Sequence, residues 1–404
     1  MKVLAISATF PSVADPSRGV FVKERLKALA AIEGIDVRVL SPTPWFPPMK
    51  RFEKWYRWSQ YPHQETFEGL PVDNPRYILP PKLGGYFHPQ LMHKAIVRKV
   101  DRIRDEFPFD LIDAHYVYPA GALAAMLGQR YDVPFVATGR GEDMERFPDL
   151  PLVGNKIRWT LRHAAQCIGV SRQIADAMVH NGAQLTRTHV IPNGIEPSKF
   201  HPKSQKECRQ LLDLPTDRKI ILSVGDRLEL KGFHLMVQAM PLVLKHNPDA
   251  IYVIVGGPGR FGRDHTPVIQ SLIDEHQLHD RIKLAGPQPH DRLIDWYNAA
   301  DLYATLSSRE GSPNVLLEAL ACGTPAIGTA VGGIQDELRD DELGMLIPER
   351  SAQAIGQMAN QALQRDWNRP AIAEKLKERT WEATAHRVAE VLQEAVGCPS
   401  DDEP

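Results

Sequence analysis

Cysteine is scarce in this chain: four in 404 residues, at Cys167, Cys208, Cys322 and Cys398, with no C-x-x-C spacing. That argues against a disulfide framework or a cysteine zinc site and fits a reducing compartment. Long apolar runs are also missing. No stretch approaches the ~18 apolar residues of a membrane span. The apolar opening Val3–Ser7 stops too soon for a signal peptide, so a cytoplasmic location is expected. Neither sign of charge is in excess. The 48 Lys and Arg against 50 Asp and Glu leave a formal −2, which excludes the whole-chain basic field that nucleic-acid binding needs.

What the chain has is a rhythm of short apolar runs and longer amphipathic stretches. Val3–Ser7, Val37–Leu40, Asp110–Ala114, Pro134–Thr138, Cys167–Val170 and His189–Ile191 read as buried strands. Phe21–Ala31 and Ala120–Leu127 read as helices between them. After Pro192-Asn193-Gly194 the series restarts, with strands at Lys219–Val224, Ile251–Val255, Ile282–Ala285, Leu302–Leu306 and Pro325–Thr329. Repeated βα units imply parallel sheets covered on both faces. Two series imply an α/β protein of two doubly wound domains facing a cleft. The Pro-rich, polar stretch 195–216 is the expected boundary. The division is drawn as 1–197 and 198–377, followed by a C-terminal helix and an acidic tail over 397–404. In that helix, Trp381–Val396, the residues Ala385, Val388, Val391 and Leu392 share one face. Residues 378–396 are expected to return to the first domain.

Trp45–Tyr61 breaks the rhythm. It carries seven aromatics and four basic residues against one acid. One reading is a long loop whose rings pack on its own domain. The other is contact with lipid headgroups or a lipid-linked acceptor, since aromatic rings and Lys/Arg both suit the bilayer interface.

The strongest chemical signal is Glu310-Gly311-Ser312-Pro313-Asn314-Val315-Leu316-Leu317-Glu318. A helix is expected to begin near Pro313, with Pro in the first turn and Ser312 before it. Amides at that helix start suit a phosphate. The two glutamates can accept from sugar and ribose hydroxyls. Gly257-Pro258-Gly259-Arg260-Phe261-Gly262 also matches a dinucleotide-binding G-x-G-x-x-G, with Asp274 or Asp280 on a ribose. The proline removes an amide, and the preceding strand is the second of its series, so this match is set aside.

The string Glu310–Gly333 resembles the retaining glycosyltransferases of family 4, with the GT-B architecture of two Rossmann-like domains. Further pieces follow in the family's order: Val170-Ser171, Ile191-Pro192-Asn193-Gly194-Ile195 with Phe200, Ser223-Val224-Gly225 with Lys231-Gly232, Gly256-Gly257-Pro258-Gly259, and Val331-Gly332-Gly333 with Glu337. The resemblance covers most of the chain. It implies transfer, with retention, of a sugar from a nucleotide-diphosphate sugar (a UDP-sugar before a GDP-sugar) to a saccharide, lipid-linked or small-molecule acceptor. The setting would be surface polysaccharide or glycoconjugate synthesis. It implies no separate cofactor and no metal, and no D-x-D occurs in the chain. Glu310 would hold the donor sugar's hydroxyls and Glu318 the ribose. Lys231 would pair with the diphosphate. Gly311, Ser312, Pro313, Asn314 and Val315 would line it, with Gly257 nearby. Gly19 would be the glycine of the first N-terminal loop. Contact between residues 45–61 and the inner face of the cytoplasmic membrane would fit a lipid-linked acceptor.

The sequence departs from the family in three places. Where an Arg commonly follows the donor-loop glycine, Asp226 stands, and Arg227 comes one later; either Arg227 swings in to bind the donor's diphosphate or the guanidinium is missing there. In Thr138-Gly139-Arg140-Gly141-Glu142-Asp143, Arg140 occupies the place of a His near the reacting bond. Arg140 either pairs with Glu142 or Asp143 or contacts substrate, where a guanidinium can clamp a carboxylate or phosphate. His115, at a strand end, is either structural or part of the site. Two other functions stay open: a GT-B sugar-nucleotide epimerase or phosphorylase-like protein, and a non-catalytic sugar-nucleotide-binding scaffold.

Overall fold

The computed structural model describes residues 1–80, 85–259 and 264–397, with the side chains of residues 53 and 54 left aside. Cys398 and the rest of the acidic tail, and positions 260–262 of the G-x-G-x-x-G stretch, lie outside the described residues. The chain divides into two compact units: Met1–Gly194 together with the chain from Trp381 onward, and Ile195–Thr380.

The first unit is built on strands β1 (Lys2–Ser7), β2 (Asp36–Leu40), β3 (Thr43–Trp45), β4 (Gln64–Phe67), β5 (Leu70–Asp73), β6 (Arg76–Ile78), β7 (Leu111–His115), β8 (Phe135–Gly139), β9 (Gln166–Gly169) and β10 (Thr188–Val190). Eight of them form one sheet in the order β10-β9-β8-β7-β1-β2-β5-β4. All its pairings are parallel except β4 with β5. Because side chains alternate along a strand, Leu4 and Ile6 enter one core layer and Val3 and Ala5 the other. The first layer is closed by Met92, Ile96 and Val100 of the helix His88–Glu106 and by Leu123 of the helix Ala122–Tyr131. The second is closed by Val22, Leu26 and Leu29 of the helix Val20–Ala30 and by Ala385, Val388, Val391 and Leu392 of the helix Trp381–Gly397. The C-terminal helix therefore completes the first unit's core.

The second unit carries β11 (Ile220–Val224), β12 (Ile251–Val255), β13 (Ile282–Gly286), β14 (Leu302–Thr305), β15 (Ala326–Thr329) and β16 (Gly344–Ile347). The order is β13-β12-β11-β14-β15-β16, parallel throughout. Counted from its own first strand this is 3-2-1-4-5-6, the Rossmann order. Both units are Rossmann-like. Strand order reverses between β11 and β14 in the second unit and between β1 and β7 in the first. Ligands of such sheets bind beyond the carboxyl ends of the strands at these points.

The expected strands are present with ends shifted by a residue or so. Over Trp45–Tyr61 the reading of a long loop is corrected, while its rings do pack together. Trp45 ends β3, which pairs with β6 in a separate two-stranded sheet, and a helix runs over Glu53–Ser59. The aromatics drive this packing: Phe46 lies against Phe52 and Trp55, and Trp55 against Trp58, at ring separations of 5.2 to 5.4 Å. Among the described residues, Cys167, Cys208 and Cys322 are free and buried. No helix among them is long and apolar enough to cross a membrane.

Candidate active site

At the switch point of the second unit, two loops converge. The loop after β11 turns through Glu229–Lys231 and closes on Gly232, which holds φ +70°. A Cβ on Gly232 would come within 2.3 Å of the Leu306 carbonyl oxygen, so only glycine lets this turn lie against the end of β14. That seating places Lys231 Nζ 2.7 Å from Glu310 Oε2, across 79 positions of sequence. Ser307 Oγ donates to the same carboxylate oxygen at 3.0 Å. The pair is about four-fifths buried, with side-chain exposures of 22% and 18%.

The loop of Glu310 is held from behind by Gly332 and Gly333. Gly332 has φ +49°, and a Cβ there would lie 1.5 Å from the Glu310 carbonyl oxygen. The Gly333 amide donates to the Gly311 carbonyl at 3.0 Å. The helix Asn314–Ala321 follows. Pro313 is its N-cap rather than its first helical residue, and the N-cap side chain makes no capping hydrogen bond. The first-turn amides of an uncapped helix suit an anion. One turn in, Glu318 is buried. Its carboxylate accepts from Tyr297 Oη at 2.8 Å and contacts His290 Nε2 at 3.0 Å. Burial, then the charge of Glu318, keeps the Tyr297 phenol well above its ordinary pKa, so it stays a donor.

In the first unit, a buried polar chain crosses the carboxyl ends of the central strands. Arg25, on the helix Val20–Ala30, grips Asp113 of β7 with one nitrogen 3.0 and 3.1 Å from the two carboxylate oxygens, and donates to Thr138 Oγ1 at 3.0 Å. Asp113 and His115 have no exposed surface. Burial alone would raise the Asp113 pKa, but the Arg25 charge outweighs it and holds the carboxyl well below the usual range. His115 Nδ1 lies 2.8 Å from a guanidinium nitrogen of Arg140. A guanidinium only donates, so Nδ1 is the acceptor and the imidazole proton sits on Nε2, 3.3 Å from Asp113 Oδ2. Burial pushes the His115 pKa down to about 4, in keeping with a neutral ring.

Arg140 itself is 7% exposed, and its Nε has no partner. Burial, reinforced by the Arg25 charge, lowers its pKa to about 10, which leaves it charged at neutral pH. The guanidinium forms no ion pair with Glu142 or Asp143. Glu142 pairs with Arg146, and Asp143 accepts from the backbone amides of Val117, Arg140 and Gly141. Arg140 instead lies over the Phe21 ring at 5.3 Å and reaches Asn193 Oδ1 at 3.5 Å. Gly19 starts the helix Val20–Ala30 at φ +64°, and a Cβ there would lie 2.0 Å from the Thr9 carbonyl oxygen.

Two family models match successive parts of the chain. Residues 19–199 match "Glycosyltransferase Family 4" and residues 204–384 match "Glycosyl transferases group 1". The chain belongs to glycosyltransferase family 4. A putative teichuronic acid biosynthesis glycosyltransferase of Bacillus subtilis is 29% identical over 94% of this chain and 93% of its own. A D-inositol 3-phosphate glycosyltransferase of Acidothermus cellulolyticus is 28% identical over 93% and 85%. Among solved structures, sucrose-phosphate synthase from Thermosynechococcus elongatus superimposes with a TM-score of 0.77 at 22% identity, covering 98% of this chain and 99% of that one. Anabaena HepE in complex with UDP-glucose gives 0.72 at 18%, covering 97% and 99%. These likenesses place the fold as GT-B, and the enzyme as a glycosyltransferase.

Within the glycosyltransferase, the remaining sequence-named residues are distributed unevenly. Arg227 is 8% exposed and already committed, donating to Thr266 Oγ1 at 2.7 Å and to the Gly256 carbonyl at 2.6 Å. It fastens the turn after β12 rather than offering a free guanidinium. Gly257 would tolerate a Cβ at ordinary contact distance. Gly256 would not, since its Cβ would meet the Gly225 carbonyl oxygen at 1.8 Å. Sequence reading missed Arg25, Asp113, Ser307, Tyr297 and His290. The available signal for the first two was an acid in a buried strand and a base on the buried face of a helix, which require each other. Among the described residues, no group of three or more His, Cys, Asp or Glu could hold a metal ion.

Proposed function

We propose that this glycosyltransferase moves a sugar, with retention, from a nucleotide-diphosphate sugar held by the second unit to a saccharide or lipid-linked acceptor held by the first, in the building of a surface polysaccharide or glycoconjugate. The Lys231–Glu310 pair at the switch point, beside an uncapped helix start, carries the reading. A departing nucleoside diphosphate develops negative charge on its oxygens. Lys231 and the backbone amides of Ser312, Asn314 and Val315 are the groups placed to stabilise it, and the donor's phosphate can draw Lys231 away from Glu310, freeing that carboxylate for sugar hydroxyls. Glu318, with Tyr297 behind it, is assigned to the ribose. Because Lys231 and the helix supply the positive charge, transfer runs without a bridging metal. The UDP and UDP-glucose of the HepE complexes favour a UDP-sugar as donor. No side chain is assigned as a covalent nucleophile, so same-face attack passes the acceptor's proton to the leaving phosphate.

The test is a thermal-shift and hydrolysis screen against UDP-, GDP-, ADP- and CMP-sugars, with and without EDTA. A donor raises the melting temperature by mass action. One responding sugar nucleotide, slowly hydrolysed and indifferent to EDTA, is the expected result. Stabilisation by a donor without hydrolysis or transfer to any acceptor would favour a binding scaffold. A changed sugar configuration on the free nucleotide would favour an epimerase.

A further inference from the structure

The first unit holds a cavity of about 590 Å³, within the ~300–1,000 Å³ of small-molecule sites. Its walls are contributed by Pro44, Trp58, Tyr77, Tyr118, Phe147 and Val153, with Arg18 at one side. Among the described residues, no Asp, Glu, Asn or Gln lines it. The polar groups it does contain are mostly satisfied within the wall. Tyr77 Oη meets His88 Nε2 at 2.5 Å, and Tyr118 Oη donates to the Gly85 carbonyl at 2.5 Å. Burial lowers the His88 pKa to about 4, so that ring is neutral. A sugar, with a hydroxyl on nearly every carbon, would find few partners here. A hydrocarbon segment would bury apolar surface without leaving wall groups unpaired.

Arg18 is the charged side chain among the described residues of this wall. One guanidinium nitrogen donates to the Ala8 carbonyl at 2.5 Å, and the plane lies 4.8 Å from the Trp58 ring. Among the described residues no carboxylate forms an ion pair with it, whereas the neighbouring Arg57 lies 3.8 Å from Asp15. Arg18 directly precedes Gly19. In the β3–β6 sheet Pro44 and Tyr77, paired in register, face the cavity. The next pair, Trp45 and Ile78, falls on the sheet's opposite face and is 52% and 64% exposed. Met49 and Phe52 are exposed as well, beside exposed Lys50 and Arg51.

We propose that this cavity binds the hydrocarbon segment of an amphiphilic acceptor whose anionic phosphate-class head meets Arg18, the exposed apolar and basic surface of the adjoining segment, Trp45 to Phe52, resting at the bilayer from which the lipid is drawn. This rests on the reading of a lipid-linked acceptor and narrows it to a site. The test is calorimetric titration of the full chain with farnesyl phosphate below its micelle concentration, against farnesol, glucose 1-phosphate and inorganic phosphate. Saturable binding of farnesyl phosphate is expected, with farnesol weaker and the two small phosphates not competing. Arg18→Gln should weaken farnesyl phosphate about tenfold or more, the loss of a charge-assisted contact, and leave farnesol unchanged. Val153→Trp, which fills the cavity, should weaken both. If Val153→Trp fails to melt cooperatively, Arg18→Gln decides alone. Equal affinity for farnesyl phosphate in wild type and Arg18→Gln would overturn the proposal, and so would glucose 1-phosphate or inorganic phosphate binding as tightly. UDP binding by the wild-type protein, measured in parallel, reports on the donor site separately. Its loss would fail the transferase reading and not this one.

Discussion

Replacing His115 by Gln should flatten the acid dependence of the first unit's stability. The imidazole has no exposed surface, and its pKa falls from 6.5 to about 4. Between those values the unfolded chain binds a proton that the folded one refuses, so stability falls as pH falls. A displacement of about 2.5 units at ~1.4 kcal/mol each is about 3 kcal/mol, most of it gone by pH 4. Gln keeps an oxygen that can accept from Arg140 and has nothing to titrate. Urea unfolding of the full chain, followed by tryptophan fluorescence from pH 7.5 to 4, gives both profiles. His88, with its own depressed pKa, remains in both proteins and cancels in the comparison. Asp113 titrates far lower and contributes outside the window. Parallel profiles for the two proteins would refute the tautomer and charge state assigned to His115.

Lys231→Met and Glu310→Gln should each lower kcat by roughly 10²–10³, and the double variant should be little worse than either, because the two act as a unit; losses that multiply would separate their roles. Gly332→Ala puts a methyl 1.5 Å from the Glu310 carbonyl oxygen. It should cost about 1–2 kcal/mol in backbone strain alone and displace Glu310, so turnover should fall in a protein that still melts cooperatively; wild-type kinetics would show that the loop yields without moving the carboxylate. Asp113→Asn leaves Arg25 buried beside a neutral amide and should destabilise by about 3–5 kcal/mol in denaturant titration, with the Arg25→Met, Asp113→Leu double variant recovering much of it.

The βα rhythm made the two sheets legible because fully buried parallel strands are near-continuous apolar runs, as Ile251–Val255 is. The strands β4 to β6 were not legible. They are three or four residues long, and several of their positions are exposed, so no alternation accumulates. At the site, Glu310, Gly311 and Glu318 were legible because they share one local element. The partnership of Lys231 with Glu310 and of Arg140 with His115 was not, since sheet order creates those contacts. Asp226 and Arg227 illustrate the limit. A one-residue offset from the family's pattern shows which side chains are available, but Thr266 and the Gly256 carbonyl decide where the guanidinium goes.

The helix Trp381–Gly397 has a consequence for synthesis. Its residues Ala385, Val388 and Leu392 fill a core layer whose other side was laid down by Val3, Ala5 and Leu26. On the ribosome, the whole of Ile195–Thr380 emerges, with its own core, before that layer can close. The second unit can reach its native state while the first still presents an open apolar face, so the half made first is finished last. Stop codons or cleavage anywhere before Trp381 would strand that face uncovered, and the nascent first unit should depend on holding factors for longer than its place in the chain suggests.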